Sequence, residues 1–345
     1  MSVLFTESLT VKHLFNQITK CKKVSIPEGG SILNNRERLD ASENVELKRA
    51  LIELEQNKKR IVNENEYYEE EKDQTLINSY YQEINFVGAD KQELFKQLNL
   101  LVTNTHLNQL SYNATTRNYL YTWVDLQLNG KLKSIYSGGD KEPEQVMKED
   151  FEADLKRKEA YQILLSNDLK DLMKVKETIA SIESDNMYNC EHVVPQSWFE
   201  KENPMRGDLH HLFTCEIKCN SSRSNFPYHD FKDYSPKMKI EEIRANCGKY
   251  EDNKFEPERG KGEVARATLY FLLRYPGEVS QYSNEDIDLL IKWHNDFRVS
   301  TYEKHRNMAI YSIQKNRNPL IDFPQYVESI DFSLGLGKNY STNQK

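Results

Sequence analysis

Apolar residues along the chain recur at helical spacing in several stretches that irregular segments separate. Residues 1 to 39 show no clear period and end on the loop-like Pro27-Glu-Gly-Gly-Ser31, which predicts an irregular start. Asp40-Ala-Ser-Glu43 then fits a capping box, and Leu47, Ala50, Leu51, Leu54 and Ile61 repeat at helical spacing through a charged stretch ending near Lys72. One long amphipathic helix is expected there. Its stripe serves either a partner or coiled-coil surface or, the plainer alternative, packing against the main domain, since the seam is short for heptads. From Tyr80 the apolar density rises, with Leu94, Leu98, Leu101 and Val102 in helical register before Tyr112, Tyr119, Tyr121 and Trp123. A charged, helix-forming stretch from about Asp140 to Asp185 carries an intermittent apolar face, as an inserted helical pair would. Helical patterns return over 264–275, 284–297 and 301–313. Strand signals are sparse, so the predicted class is α+β and mainly helical.

Strand-like runs concentrate in residues 188–228. Cys190–Val194 and Asp208–Phe213 read as two short strands joined by a loop that begins at Pro195, and Asn220–Asn225 reads as a short helix stopped by Pro227. That is a strand-strand-helix finger.

Composition narrows the setting. The 345 residues suffice for a sizeable core, and no apolar run reaches the ~18 residues that a membrane span needs. The first residues lack the order of a signal peptide. Five cysteines, odd in number and irregularly spaced, argue against a disulfide framework and for a reducing compartment. A cytoplasmic location is therefore expected, with export by another route the alternative. Net charge is -7, yet residues 192–320 hold 20 Lys or Arg against 19 Asp or Glu, so any polyanion would meet a local cluster rather than a basic face.

Four of eight histidines and three of five cysteines fall between Cys190 and His229. A carboxylate and an amide oxygen there, Glu191 and Asn220, can hold one hard cation whose other positions go to water and phosphate, which suits Mg2+, with Mn2+ or Ca2+ as substitutes. A neutral His192 beside them can take a proton from water. Successive strand residues face opposite ways, so Glu191 and His192 serve one site only if the strand end bends before the proline loop.

Tyr188-Asn-Cys-Glu-His-Val-Val-Pro-Gln-Ser-Trp-Phe199, Met205-Arg-Gly-Asp-Leu-His-His-Leu-Phe213 and Cys219-Asn-Ser-Ser-Arg-Ser-Asn-Phe-Pro-Tyr228 together resemble the active-site segment of the endonuclease I family. These are non-specific nucleases of the ββα-metal, or His-Me finger, HNH-like superfamily. Tyr80-Tyr81, Thr105-His106, Leu110-Ser-Tyr112 and Ile135-Tyr-Ser-Gly138 sit where that family begins, and Lys261-Gly-Glu-Val-Ala-Arg-Ala267, Trp293-His294, Arg306-Asn307 and Asn316-Arg-Asn-Pro-Leu-Ile-Asp322 where it ends. The resemblance implies a nuclease domain over 80–326, with an insertion at about 140–185, a finger at about 188–228, a helical extension over 1–79 and a tail over 327–345. It implies His192 as general base and Glu191 and Asn220 as metal ligands. Asp208 would orient the histidine and brace the hairpin. Some members carry a phosphate-contacting arginine in a longer loop, and the resemblance puts it at Arg206, the single arginine of Val193–Gly207. The substrate would be DNA, RNA or both, cut internally to leave 5′-phosphates. The extension over 1–79 is a candidate for a protein partner or an autoinhibitory contact.

Plainer readings stand beside these. Arg223, Arg266, Arg306 and Arg317 are candidates for phosphate contact, or braces of neighbouring loops. Strand alternation gives one of His210 and His211 to the core and one to the cleft. Cys190, Cys215, Cys219 and Cys247 raise a structural zinc site, although their spacing lacks paired short gaps. The functional alternative is a binding module that keeps the finger without turnover.

Overall fold

The structure, a computed structural model, describes residues 32–166, 172–234 and 246–337. The predicted loop at 27–31 lies outside them. The chain divides into two compact units, residues 1–46 and 47–345. Helix α1 (Ile32–Arg60) starts before the predicted capping box at Asp40, which falls inside it, and stops short of Lys72. Polar residues within a helix cost only tenths of a kcal/mol each, so a cap signature there is overridden. Lys58, Lys59 and Arg60 close its last turn, where cations meet the carbonyl end. The chain continues in α2 (Glu64–Tyr67) and α3 (Glu70–Tyr80).

Next come α4 (Lys91–Thr105), capped by the Asp90 carboxylate on the N–H groups of Gln92 and Glu93, and α5 (Ala114–Tyr119), which runs into a π-turn through Val124. Strands β1 (Leu132–Lys133) and β2 (Asp140–Lys141) pair ahead of α6 (Pro143–Ser166) and α7 (Leu172–Asp185), which pack together. The finger follows as β3 (Cys190–His192), β4 (Leu212–Thr214) and α8 (Ile217–Arg223), then the hairpin of β5 (Gly248–Glu251) and β6 (Lys254–Pro257). Helices α9 (Lys261–Arg274), α10 (Asn284–Asp296), α11 (Thr301–Gln314) and α12 (Pro319–Asp322) complete the unit. Capping boxes at Ser283 and Ser300 start α10 and α11, and Asn318 caps α12 ahead of Pro319. Strands are few, short and antiparallel, so the fold is mainly helical α+β.

Helix α9 is buried on nearly all sides and packs against α4 and α10. Its cluster holds Leu94, Leu98, Val102, Phe271, Leu272 and Trp293. A second cluster gathers Leu54, Ile61, Tyr67, Leu120, Val124 and Leu126. Residues 47–68 contribute to that second core and Ile77 on α3 to the first: the Tyr67 hydroxyl donates to the Leu126 carbonyl at 3.0 Å, and Asn57 Nδ2 to that of Thr122 at 2.9 Å. Val327, Ile330 and Phe332, near the chain's end, join the first cluster. The finger sits where the clusters meet, because alternation along β4 sends Leu212 into one and Phe213 into the other.

The finger differs from its predicted outline. β3 ends at His192, and Asp208 is the cap of a 3-10 turn, Leu209–His211, that precedes the shorter β4. The short side chain of Asp208 accepts from the His210 N–H at 3.0 Å, a local bond that competes with strand formation. Helix α8 starts three residues before the predicted Asn220. The expectation of no disulfide is overturned, since Cys219 and Cys247 are bonded and tie α8 to the start of β5. Sequence spacing could not reveal this pair, which the fold brings to a Cα separation of 5.1 Å across 28 residues. It also withdraws two of the four thiols on which the zinc reading relied. Cys190 and Cys215 are free and buried.

Candidate active site

β3 delivers Glu191 and His192 on adjacent positions, and alternation gives them different neighbours. His192 Nε2 lies 3.0 Å from the carbonyl oxygen of Arg206. A carbonyl only accepts, so Nε2 carries the proton and Nδ1 keeps its lone pair. The Tyr112 ring stands edge-on to the imidazole with centroids 4.7 Å apart, and the His211 ring lies at 5.6 Å. Burial, with smaller contributions from His211 and Arg206, holds the His192 pKa well below 6.5, so the ring is neutral at pH 7.

The loop that supplies this carbonyl is pressed against the chain at Leu110. A Cβ on Gly207 would lie 2.0 Å from the Leu110 carbonyl oxygen, so only glycine permits the approach. Arg206 itself is half-buried, its Nε donates to Gln196 Oε1 at 2.9 Å, and its guanidinium lies 5.2 Å from the Tyr112 ring centroid. Among the described residues its two Nη groups have no hydrogen-bond partner.

Glu191 is 3% exposed. Its Oε1 accepts from the Tyr136 hydroxyl at 2.7 Å and faces the Arg223 guanidinium at 3.5 Å. Tyr136 Oη in turn lies 2.9 Å from Tyr228 Oη, and Arg223 donates to the Val193 carbonyl at 2.6 Å. Burial pushes the Glu191 pKa from 4.5 up to about 7, outweighing Arg223, the Tyr136 hydroxyl and the His192 N–H, which pull it down. Asn220, half-buried on α8, donates from Nδ2 to the Cys190 carbonyl at 3.0 Å. That leaves its Oδ1 without a donor among the described residues.

An under-compensated carboxylate and an unsatisfied amide oxygen are the donors a hard cation takes, so Glu191 and Asn220 fit Mg2+. Among the described residues no group of three or more His, Cys, Asp or Glu side chains could hold a metal. Water and substrate oxygens would have to complete the shell.

Asp208 belongs to a different network. Its carboxylate accepts from the His210 N–H, Gln314 Nε2, Tyr270 Oη and Tyr275 Oη at 2.9 to 3.0 Å. Burial works against its charge, but His106, His210, His211 and the Gln314 bond outweigh burial and hold its pKa well below 3.8. None of those four bonds reaches His192; Asp208 anchors the chain two residues beyond the carbonyl that does.

The arginines separate in the same way. Arg317 is fully buried, bidentate on Asp73 at 2.9 and 3.0 Å, and paired with Asp322 at 2.7 Å. Arg266 grips Glu303, and Arg306 holds Asp125 and the carbonyls of Leu209 and Leu212. Arg223 is buried beneath Glu191. These four act as braces where they stand, and Arg206 alone of the candidates keeps half-exposed donors. His210 and His211 are both buried, because the 3-10 turn replaces the strand whose alternation would have separated them. Tyr136, Tyr228 and Gln196 also line the site, though sequence pattern alone does not single them out. Tyr136 stood within the quoted Ile135-Tyr-Ser-Gly138, but no local pattern shows that its hydroxyl meets a residue 55 positions away.

The model of the family described as Endonuclease I matches residues 94–325. An extracellular ribonuclease of Bacillus amyloliquefaciens is 31% identical over 139 residues, covering 36% of this chain and 46% of its own. The extracellular ribonuclease of Bacillus subtilis (strain 168) is 30% identical over 161 residues, 41% and 54% of the two chains. Endonuclease-1 of Buchnera aphidicola subsp. Baizongia pistaciae is 29% identical over 118 residues, 33% and 45%. The chain thus spans about half the length of the curated relatives it matches.

Proposed function

This chain belongs to the endonuclease I family, and from that premise we propose that it is a divalent-metal-dependent endonuclease that hydrolyses nucleic-acid phosphodiester bonds with little sequence preference. The observation that carries the reading is the tautomer of His192: with Nε2–H spent on the Arg206 carbonyl, Nδ1 is left as a proton acceptor on a ring neutral at pH 7. Glu191 and Asn220 would hold Mg2+, which when bound would neutralise charge on the phosphate and the departing oxygen. His192 Nδ1 would take a proton from water as its oxygen bonds to phosphorus. The bond from phosphorus to the 3′-oxygen would break and that oxygen would take a proton from a second water, leaving a 5′-phosphate and a 3′-hydroxyl. Arg206 would hold the non-bridging oxygens through its two Nη groups.

The names of two relatives, both extracellular ribonucleases, favour RNA among the substrates, and that of the third, Endonuclease-1, leaves DNA open. The same two names describe extracellular proteins, and the Cys219–Cys247 bond suits an oxidising surrounding better than the cytoplasm the cysteine count suggested. No helix among the described residues is long and apolar enough to cross a membrane. A protein partner or an autoinhibitory contact is proposed for residues 1–79, part of which also contributes to the second core.

The test is cleavage of supercoiled DNA and of single-stranded RNA by wild type and His192→Ala, each with Mg2+ and with excess EDTA. Metal-dependent cutting that falls by about 10²- to 10⁴-fold in the variant is expected. Equal cutting by both proteins would remove His192 from the mechanism. No cutting by folded, Mg2+-supplied wild type would favour the binding module without turnover.

A further inference from the structure

Among the features the reaction does not use, the hydroxyl pair beneath Glu191 stands out for its geometry. Tyr136 is fully buried, and its single proton goes to Glu191 Oε1 at 2.7 Å. Because that proton is spent, Tyr228 is the donor across the 2.9 Å contact, its one proton shared with the Val193 carbonyl at 3.4 Å, and the shorter contact directs the pair of hydroxyls toward the carboxylate. The Arg223 guanidinium approaches the same oxygen at 3.5 Å, so both partners converge on Oε1. The backbone fixes where these rings stand: the Ile135 N–H donates to the Thr214 carbonyl of β4, and the Tyr136 carbonyl accepts from the Arg259 N–H. Tyr228 is likewise held by a bridge to Phe255.

We propose that Tyr136 is a positioning residue that reserves one carboxylate oxygen of Glu191 and thereby makes the site selective for a small, six-coordinate cation over Ca2+. The proposal rests on the reading of Glu191 and Asn220 as the cation's donors. A carboxylate with both oxygens open can grip a cation through both, which large Ca2+ with six to eight ligands accepts and small, strictly octahedral Mg2+ does not favour. With Oε1 engaged by a hydroxyl and a guanidinium, Glu191 has one oxygen to offer and Asn220 a second. Most of the shell falls to water, the arrangement in which Mg2+, reluctant to dehydrate, is at least disadvantage. A phenylalanine at 136 would keep the ring and free the oxygen.

The test is binding rather than turnover. Mn2+ is titrated into metal-free protein and followed by its electron paramagnetic resonance signal, then displaced with Mg2+ and with Ca2+, in wild type, Tyr136→Phe, Tyr228→Phe and Glu191→Gln. Wild type is expected to release Mn2+ to Mg2+ at lower concentration than to Ca2+. In Tyr136→Phe the ratio of the two midpoints should shift toward Ca2+ by about tenfold. Tyr228→Phe, which removes only the outer donor, should shift it the same way by a smaller factor. An unchanged ratio in Tyr136→Phe, in a protein whose thermal unfolding is still cooperative, would overturn the proposal while leaving the donor reading intact. Mn2+ bound as tightly by Glu191→Gln as by wild type would overturn both. Should Tyr136→Phe fail to fold, the Tyr228→Phe ratio decides, an unchanged value again counting against the proposal.

Discussion

Glu191 and Asp208 are buried carboxylates on the two sides of one loop, and they are treated in opposite ways. Asp208 receives four hydrogen bonds spread over both oxygens, so its charge is compensated and its pKa lies well below 3.8. Glu191 receives one hydroxyl and faces an arginine at 3.5 Å on the same oxygen, and although the His192 N–H adds to these, burial still pushes its pKa up to about 7. A buried anion is costly unless its lone pairs are satisfied. Asp208 pays that cost within the fold, whereas Glu191 leaves a deficit that a cation can fill. Burial alone therefore does not mark a functional acid; the number and placement of its donors does.

The largest effect should come from removing the satisfied member. Asp208→Ala strands the hydroxyls of Tyr270 and Tyr275 and the Gln314 amide in the interior, and should cost about 3 to 5 kcal/mol of stability in urea unfolding. Glu191→Gln in metal-free protein should cost no stability near pH 7, because it removes a poorly compensated charge, while its metal-dependent cleavage disappears. Equal losses of stability in the two variants would break the contrast.

Acidity should separate the pair next. The folded-state pKa of Asp208 is depressed, so its contribution to stability is present above its ordinary value of 3.8 and is lost as pH falls below it. That of Glu191 is raised, so folding binds a proton there. The metal-free protein should lose stability as pH rises from 4.5 through about 7. Unfolding midpoints between pH 3 and 8 for wild type and Glu191→Gln would show this: the variant's advantage should grow with pH across that window and vanish below about 4.5. A constant difference between the two proteins would mean that Glu191 is better compensated than its neighbours suggest.

The helical class and the existence of the finger were legible because they rest on local signals: helical periodicity, two short runs around Pro195, and the residue types gathered between Cys190 and Asn220. The finger's details were not. Asp208 reads as a strand residue by position, but its side chain captures the His210 N–H and starts a turn. Arg317 looks like a phosphate ligand within Asn-Arg-Asn-Pro until Asp73, 244 residues earlier, is brought against it. The Cys219–Cys247 bond and the Tyr136 hydroxyl likewise depend on long-range packing that no spacing encodes. His192 was found by its neighbours in sequence; which of its nitrogens is free follows from a carbonyl 14 residues on.

The smallest effect concerns the one candidate arginine whose Nη donors remain unspent. Arg206 bears on the site twice, through a main-chain carbonyl that fixes the His192 tautomer and through a side chain that Gln196 holds at Nε. The two roles can be separated because a substitution keeps the carbonyl. Arg206→Ala should leave the pH profile of cleavage unchanged, since the His192 bond persists, while KM rises and the salt dependence of binding falls by about one phosphate contact. Gln196→Ala frees the guanidinium without removing it, and should raise KM only a few-fold, less than Arg206→Ala, with the salt slope kept. A shifted pH profile in Arg206→Ala would mean that the side chain, and not the carbonyl alone, sets the state of His192.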